Sequence, residues 1–327
     1  MRHRSISGTR SGTAWAELPG AGVYRLLQRA SAYWDVPMKT LCIYHGNCQD
    51  GFGAAWAVRH ALGEENVEFF PGVYQEAPPN VAFRDVILVD FSYKRPVLEQ
   101  IIAGCNTLLV LDHHKSAAED LEFMPFVTWP YEEHRHHGIG DPKFGAIFDM
   151  NRSGAGVAWD YFHPGRTRPR LIDHIEDRDL WRFQLPYTRL ISAALFSHPY
   201  DFELWADYMA KDDLSSLIVE GAAIERKHKQ DIANLLPVVQ REMVIGGLRM
   251  PVANLPLTMT SDAGHKMAIG AGGIAACYWD TPEGRVFSLR STDDGPDCQA
   301  IAVGYGGGGH AHAAGFRMPL GWEGECP

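Results

Sequence analysis

The stretch TLLVLDHHKS, Thr107 to Ser116, passes from an apolar run straight into an aspartate and two adjacent histidines. A short apolar run of this kind reads as a buried strand, and no buried core requires three consecutive potential metal ligands at its end. Taken alone, the tripeptide also fits a helix cap at Asp112 followed by two solvated histidines. The surrounding segments decide between these readings.

From Met38 onward the chain alternates strand and helix. LCIYH is a short apolar run, GFGAAWAVRHAL is helix-like, VEFF is strand-like and VILVDF is a buried strand. RPVLEQIIAGC is a helix with proline in its first turn, and TLLVLD follows as the next strand. This βαβ rhythm implies an α/β fold with a parallel sheet covered by helices, and such sheets carry their sites beyond the carboxyl ends of the strands. His45, Asp90 and Asp112 all fall at that edge. His45 with Asp50, then Asp90, then Asp112, His113 and His114 supply oxygen and imidazole donors of the kind manganese or magnesium accepts. A later segment, LIDHIEDRDLW, adds Asp173, Asp177 and Asp179. On a helix Asp173 and Asp177 share a face while Asp179 points elsewhere, so at most one or two of these are expected as ligands.

Composition sets the outer bounds. At 327 residues with 46% hydrophobic content, the chain accommodates two soluble domains, and its apolar runs fall short of a bilayer span. The cysteines, Cys42, Cys48, Cys105, Cys277, Cys298 and Cys326, lack CxxC spacing, so neither a zinc knuckle nor a disulfide framework is expected and a cytoplasmic location fits best. A net charge of −10 argues against a broad basic face for long duplex nucleic acid. Residues 1–37 are rich in Arg, Ser and Gly without the apolar core of a secretory signal, and read as a disordered extension or the product of an upstream start codon, with an organellar presequence as the third option.

Past the fourth acidic segment the chain turns helical, with a long helix over 213–236 ending at Pro237 as a linker. From Val238 the pattern becomes strand-rich, through REMVIGG, LRMPVANL, GIAACYW and RVFSLRS. Gly306 to Gly309 are four consecutive residues without side chains, whose N–H groups suit a phosphate or terminal sugar, and His310 adds a donor.

In their order along the chain these motifs resemble the DHH phosphoesterases, which hydrolyse phosphodiester or phosphoanhydride bonds with two metal ions. HGNCQDGFGAAW, VILVDFS, LLVLDHHKS and IEDRDLW are similar to the family's first four motifs, and GGGGHAHAAGF to the signature of the DHH-associated C-terminal domain. The resemblance runs from Met38 to about Pro319. It implies a parallel-sheet DHH catalytic domain over 38–212, the linker helix over 213–236 and a smaller α/β substrate-binding domain over 237–327. It also implies that Asp90 bridges the metals, that His45, Asp50 and His113 are ligands, and that Asp177 serves from the fourth motif with Asp179 as the alternative. Asp112 is expected to orient His113 or touch metal, and His114 to face the scissile phosphate. Gly307, Gly308, Gly309, His310 and Arg290 are expected to hold the nucleotide, with Ser153 and its small neighbours Gly154 and Ala155 letting backbone approach the site, an ordinary helix capped by Ser153 being the alternative reading.

The first motif departs from the family pattern. Two aspartates separated by one residue are common there, whereas Cys48 stands two before Asp50. Either Cys48 ligates as a thiolate, Asn47 offers its amide oxygen, or water fills the position, and the bland reading of Cys48 is a small buried filler. The loop WPYEEHRHHGIGDPKF, with His134, His136 and His137, reads as a glycine-bounded surface loop in preference to a second metal cluster. The function so implied is a metal-dependent phosphodiesterase for short oligonucleotides or dinucleotides, using two divalent ions: Mn2+ first, with Mg2+ or Co2+ as alternatives. Cyclic dinucleotides, 3′,5′-bisphosphonucleosides and a non-catalytic nucleotide sensor are the competing readings; neither long duplex nor membrane is an expected partner, and a homodimer is compatible with the sequence.

Overall fold

The strands β1 (Thr40–His45), β2 (Val67–Gly72), β3 (Asp85–Val89), β4 (Thr107–Asp112), β5 (Val127–Thr128) and β6 (Phe144–Phe148) form one sheet, ordered β2-β1-β3-β4-β6-β5. Every neighbouring pair is parallel. The computed structural model describes residues 38–74, 76–121, 127–128 and 144–326. The expected extension over 1–37 and the loop bearing His134, His136 and His137 lie outside the described residues.

Alternate residues of the central strands feed two separate cores, which is why these strands read as unbroken apolar runs. Cys42, Ile87, Val89, Leu109 and Leu111 pack with Phe52, Trp56 and Val58 of helix α1 (Gln49–Leu62). Leu41, Ile43, Val86, Leu88 and Val110 pack on the opposite face with Leu98 and Ile101 of α2 (Arg95–Gly104). The first turn of α1 lies close over the end of β1: a Cβ at Gly51 would stand 2.3 Å from the His45 carbonyl oxygen, so glycine is required there. A short helix, α3 (Lys115–Leu121), follows the two histidines.

After β6 come α4 (Gly154–Phe162), α5 (Arg170–Asp179), α6 (Thr188–Leu195), α7 (Phe202–Met209) and the long α8 (Ser215–Val239). The last helix continues through Pro237 instead of stopping there. Proline removes one donor and crowds one carbonyl, but the helix keeps its bonding beyond it: the N–H of Gln240 still closes on Leu236 O.

A second sheet comprises β7 (Gln240–Ile245), β8 (Leu248–Asn254), β9 (Ile274–Thr281), β10 (Gly284–Ser291), β11 (Gly308–His310) and β12 (Ala313–Met318), ordered β11-β12-β10-β9-β8-β7. Its pairs are antiparallel except β8–β9, which are parallel and joined through α9 (Thr260–Gly270). Helix α10 (Cys298–Gly304) leads into the glycine run. Both sheets belong to one compact unit, Lys39–Pro327. Among the described residues no helix is long and apolar enough to cross a membrane.

The glycine run departs from the loop that its composition suggests. Gly308 and Gly309 are in β11, paired with Gly315 and Ala314 of β12. A Cβ at Gly307 would lie 2.1 Å from Gly315 O, and one at Gly309 2.6 Å from Ala313 O. Close strand packing therefore requires glycine at 307 and 309, and backbone flexibility around a ligand is not what these two provide.

Candidate metal centre

The carboxyl ends of β1, β3 and β4 bring His45, Asp90 and Asp112 to one edge of the parallel sheet. Asp90 stands one residue past β3 with φ +53°, a left-handed conformation that aspartate tolerates better than most residues, and its N–H is held by Leu111 O at 2.9 Å. This bend places its carboxylate between two groups of donors. Asp90 Oδ1 is 3.0 Å from His113 Nε2, and Oδ2 is 3.4 Å from His45 Nδ1. The close approach of α4 depends on Gly154, where a Cβ would lie 2.3 Å from Asp90 Cβ.

On one side His45, Cys48 and Asp90 hold their donor atoms within 4.8 Å of one another. On the other, Asp50, His113 and Asp179 do the same, with His113 Nε2 3.6 Å from Asp50 Oδ2 and 3.5 Å from Asp179 Oδ2. Asp90, Asp112, His113 and His114 form a further set, and His310 from β11 joins His113 and His114. The His310 and His114 rings stack with centroids 4.5 Å apart.

Electrostatics in this cluster are strained. Burial first, then the charges of Asp90 and Asp179, hold the Asp50 carboxyl well above its ordinary range, and burial raises that of Asp179. Burial opposes ionisation of Asp90, yet contacts with His113 and His45 keep it well below. Burial likewise opposes charging of His113, but Asp90 and its acidic neighbours raise it well above the imidazole norm. Asp90 Oδ2, Asp112 Oδ2 and His113 Nδ1 are buried without a hydrogen-bond partner. Orphaned buried acceptors beside crowded carboxylates and imidazoles fit divalent cations, whose charge would relieve the repulsion.

The remaining expected residues divide between the centre and its supports. Asp112 Oδ1 accepts from the His113 and His114 amides and pairs with His114 Nδ1 at 2.7 Å, so the ring it orients is that of His114 and not that of His113. It also belongs to the cluster. The order of preference in the fourth motif reverses. Asp177 accepts from Gln184 N, Leu185 N and Thr188 Oγ1 at 2.7, 3.1 and 2.6 Å, and these partners occupy both of its oxygens, whereas Asp179 reaches the cluster. Two residues apart on α5, their side chains leave opposite sides of the helix. Ser153, expected among substrate contacts, is fully buried and caps α4 by accepting from Gly156 N; the amides of Gly154 and Ala155 instead hold Asp50 at 2.6 and 2.9 Å. Gly308 lies beside Ser116, where its added Cβ would be 3.4 Å from Oγ.

Arg290, on β10, donates to Ser288 Oγ, Leu289 O and Ser261 Oγ. None of these partners is an anion, and burial together with the neighbouring Arg178 lowers the pKa of Arg290. Asn47 is exposed with φ +56°. Tyr74 was not expected: its ring lies 5.2 Å from that of His45 and 6.2 Å from that of His114. It follows β2, and only the β1–β2 pairing places it there; no local signal marks it.

A DHH domain described as a member of the S1p family of ribosomal proteins superposes on 92% of this chain and 95% of its own, with a TM-score of 0.54 at 12% identity. This chain has the DHH-domain fold. RecJ from Thermus thermophilus, solved in complex with Mn2+, aligns over 92% of the chain and 52% of its own at 15% identity, with a TM-score of 0.46. The chain is also 30% identical over 300 residues to uncharacterized protein R106 of Acanthamoeba polyphaga mimivirus; the match covers 84% of the chain but only 66% of that relative's length. No family model matches the sequence.

Proposed function

We propose that this DHH-fold chain is a divalent-metal-dependent phosphodiesterase acting on short oligonucleotides or dinucleotides, with Asp90 among the residues that would hold its ions. The observation that carries the proposal is the placement of the two Asp90 oxygens, one toward His113 and the other, lacking a hydrogen-bond donor, toward His45. His45 and Cys48 would hold one ion, and Asp50, His113 and Asp179 the other. When bound, such ions supply Lewis acidity and a nucleophile at neutral pH.

The protein's own groups do the rest. Asp112 fixes the Nδ1 side of His114, leaving Nε2 for contact with a scissile phosphate oxygen. The amides at the start of α4 hold Asp50 in place, and its raised pKa makes bound cation the natural replacement for a proton. Burial, reinforced by His114 and His113, pushes His310 down to about 2, so it meets the substrate as a neutral ring. Arg290 contributes a fixed positive charge from the second sheet to a phosphate beyond the scissile one. An acidic protein has little counterion-release energy to draw on, which favours short substrates over long strands.

The test is hydrolysis of a panel of short oligonucleotides, cyclic dinucleotides and 3′,5′-bisphosphonucleosides by Mn2+-loaded protein. Release of mononucleotides from di- to tetranucleotides is expected. Turnover confined to either other class would replace the substrate assignment, and none on any would overturn the activity.

A further inference from the structure

Resting on the metal-centre reading above, we infer that the two ion positions are chemically unlike, and that His45, Cys48 and Asp90 form a mixed nitrogen–sulfur–oxygen site selective for zinc, beside a hard site for manganese or magnesium.

Three observations converge on it. The His45, Cys48 and Asp90 donor atoms lie within 4.8 Å of one another, close enough for a single ion to reach all three. Asp90 Oδ2, on the His45 side, is buried with no hydrogen-bond partner, and the whole residue is 1% exposed. Cys48 is the N-cap residue of α1 but makes no side-chain capping bond, so its sulfur is not engaged in stabilising the helix start. A cysteine serving only as filler would be expected in apolar surroundings, as for Cys42, which is fully buried within the hydrophobic core. Cys48 instead faces an imidazole and a carboxylate.

Of the other candidates for this position, Asn47 is exposed in a left-handed turn, and nothing in the structure directs its amide toward Asp90.

The second position offers Asp50, His113 and Asp179, with Asp90 Oδ1 beside His113, and no sulfur. Thiolate plus imidazole suits zinc, with a typical Zn–S distance of about 2.3 Å, while sites dominated by carboxylates suit manganese and magnesium. A single bridging carboxylate would thus join ions of different hardness. The consequence is that loading with manganese alone leaves the thiolate position with its poorer partner.

The test uses the full chain stripped of metal and titrated with Co2+ as a spectroscopic probe. A thiolate-to-cobalt charge-transfer band is expected in the near ultraviolet at one equivalent, and it should be absent in Cys48→Ser and Cys48→Asp. Loaded with one equivalent of Zn2+ and then an excess of Mn2+, the chain should hold one of each by elemental analysis, with zinc at the thiolate position. Cys48→Asp loaded with manganese alone should hold its second ion more tightly than the parent does, and Cys48→Ser should bind zinc more weakly by more than about 100-fold, beyond the effect of losing an outer-shell partner. Should either variant fold poorly, zinc-edge X-ray absorption on the unaltered protein reads the same point through one sulfur neighbour. No band, a band surviving in both variants, no sulfur scatterer, or two manganese ions per chain would each overturn the inference. None of these readouts is turnover: a sulfur-ligated zinc in a protein that hydrolyses nothing would defeat the proposed activity and leave this site standing.

Discussion

Asp90 and Asp177 are both buried aspartates of the same parallel-sheet lobe, 1% and 5% exposed, and their surroundings differ in kind. Asp177 has its oxygens taken by two backbone amides and a hydroxyl, at the turn that joins α5 to α6. Asp90 has one oxygen shared with an imidazole and the other without a hydrogen-bond partner, in a left-handed backbone conformation. A satisfied buried carboxylate stabilises local structure. One with an oxygen left short of hydrogen-bond partners keeps a lone pair free for a ligand. The contrast separates supports from ligands better than acidity or burial alone.

The largest effect that sharpens this contrast is on turnover. Asp90→Asn should lower phosphodiester hydrolysis by at least about 10²–10³-fold, the range lost when one transition-state electrostatic partner is removed. Elemental analysis should find at least one ion fewer in Asp90→Asn than in the parent, because the amide lacks the anionic donor set between His113 and His45. Full metal occupancy with normal turnover would remove Asp90 from the site.

The converse comes next. Asp177→Ala leaves Gln184 N, Leu185 N and Thr188 Oγ1 without their acceptor and should destabilise the fold by about 2–4 kcal/mol in denaturant titrations. The folded fraction should still bind its full complement of metal by elemental analysis. Loss of one ion with unchanged stability would restore Asp177 as a ligand.

The smallest effect tests a polar cluster away from the metal centre. Asp262 of α9 accepts from Arg189 of α6 at 2.9 Å and from His228 of α8 at 3.2 Å. Burial opposes its ionisation, but His228 and the arginines lower its pKa to about 2. The bond to Asp262 raises that of His228. A depressed carboxyl contributes stability that is present above its ordinary value of 3.8 and is lost as pH falls toward about 2. A raised imidazole contributes below its ordinary value of 6.5 and loses that contribution as pH climbs through its folded value. Asp262→Asn should therefore cost about 1–2 kcal/mol at most, largest between those two ordinary values and smaller on either side, by unfolding at a series of pH values. A pH-independent difference would show that packing, not charge, is what Asp262 supplies.

Much of the fold was legible because its signals are local. The apolar runs ending at His45, Asp90 and Asp112 need only strand periodicity and the rule that parallel sheets place sites at their carboxyl ends to predict convergence. The continuous burial of β1, β3 and β4, the α1 helix and the four principal strands of the second sheet follow from the same short-range patterns. What lay beyond reach depends on how elements dock. Whether Asp177 or Asp179 meets the cluster turns on the rotation of α5 against the sheet, a degree of freedom invisible along the chain. The same holds for Tyr74, brought to His45 by strand pairing.

Local patterns along the chain were enough to show which chemistry was on hand: aspartates, histidines and Cys48 at strand ends and helix starts, because strand and helix formation are governed by neighbours a few residues apart. Only the tertiary structure decided which of those groups share one site and which are satisfied elsewhere. Hydrogen-bond partners of Asp177, the orphaned oxygen of Asp90 and the stacking of His310 on His114 arise between segments that only folding brings together, and burial makes such pairings costly to leave incomplete.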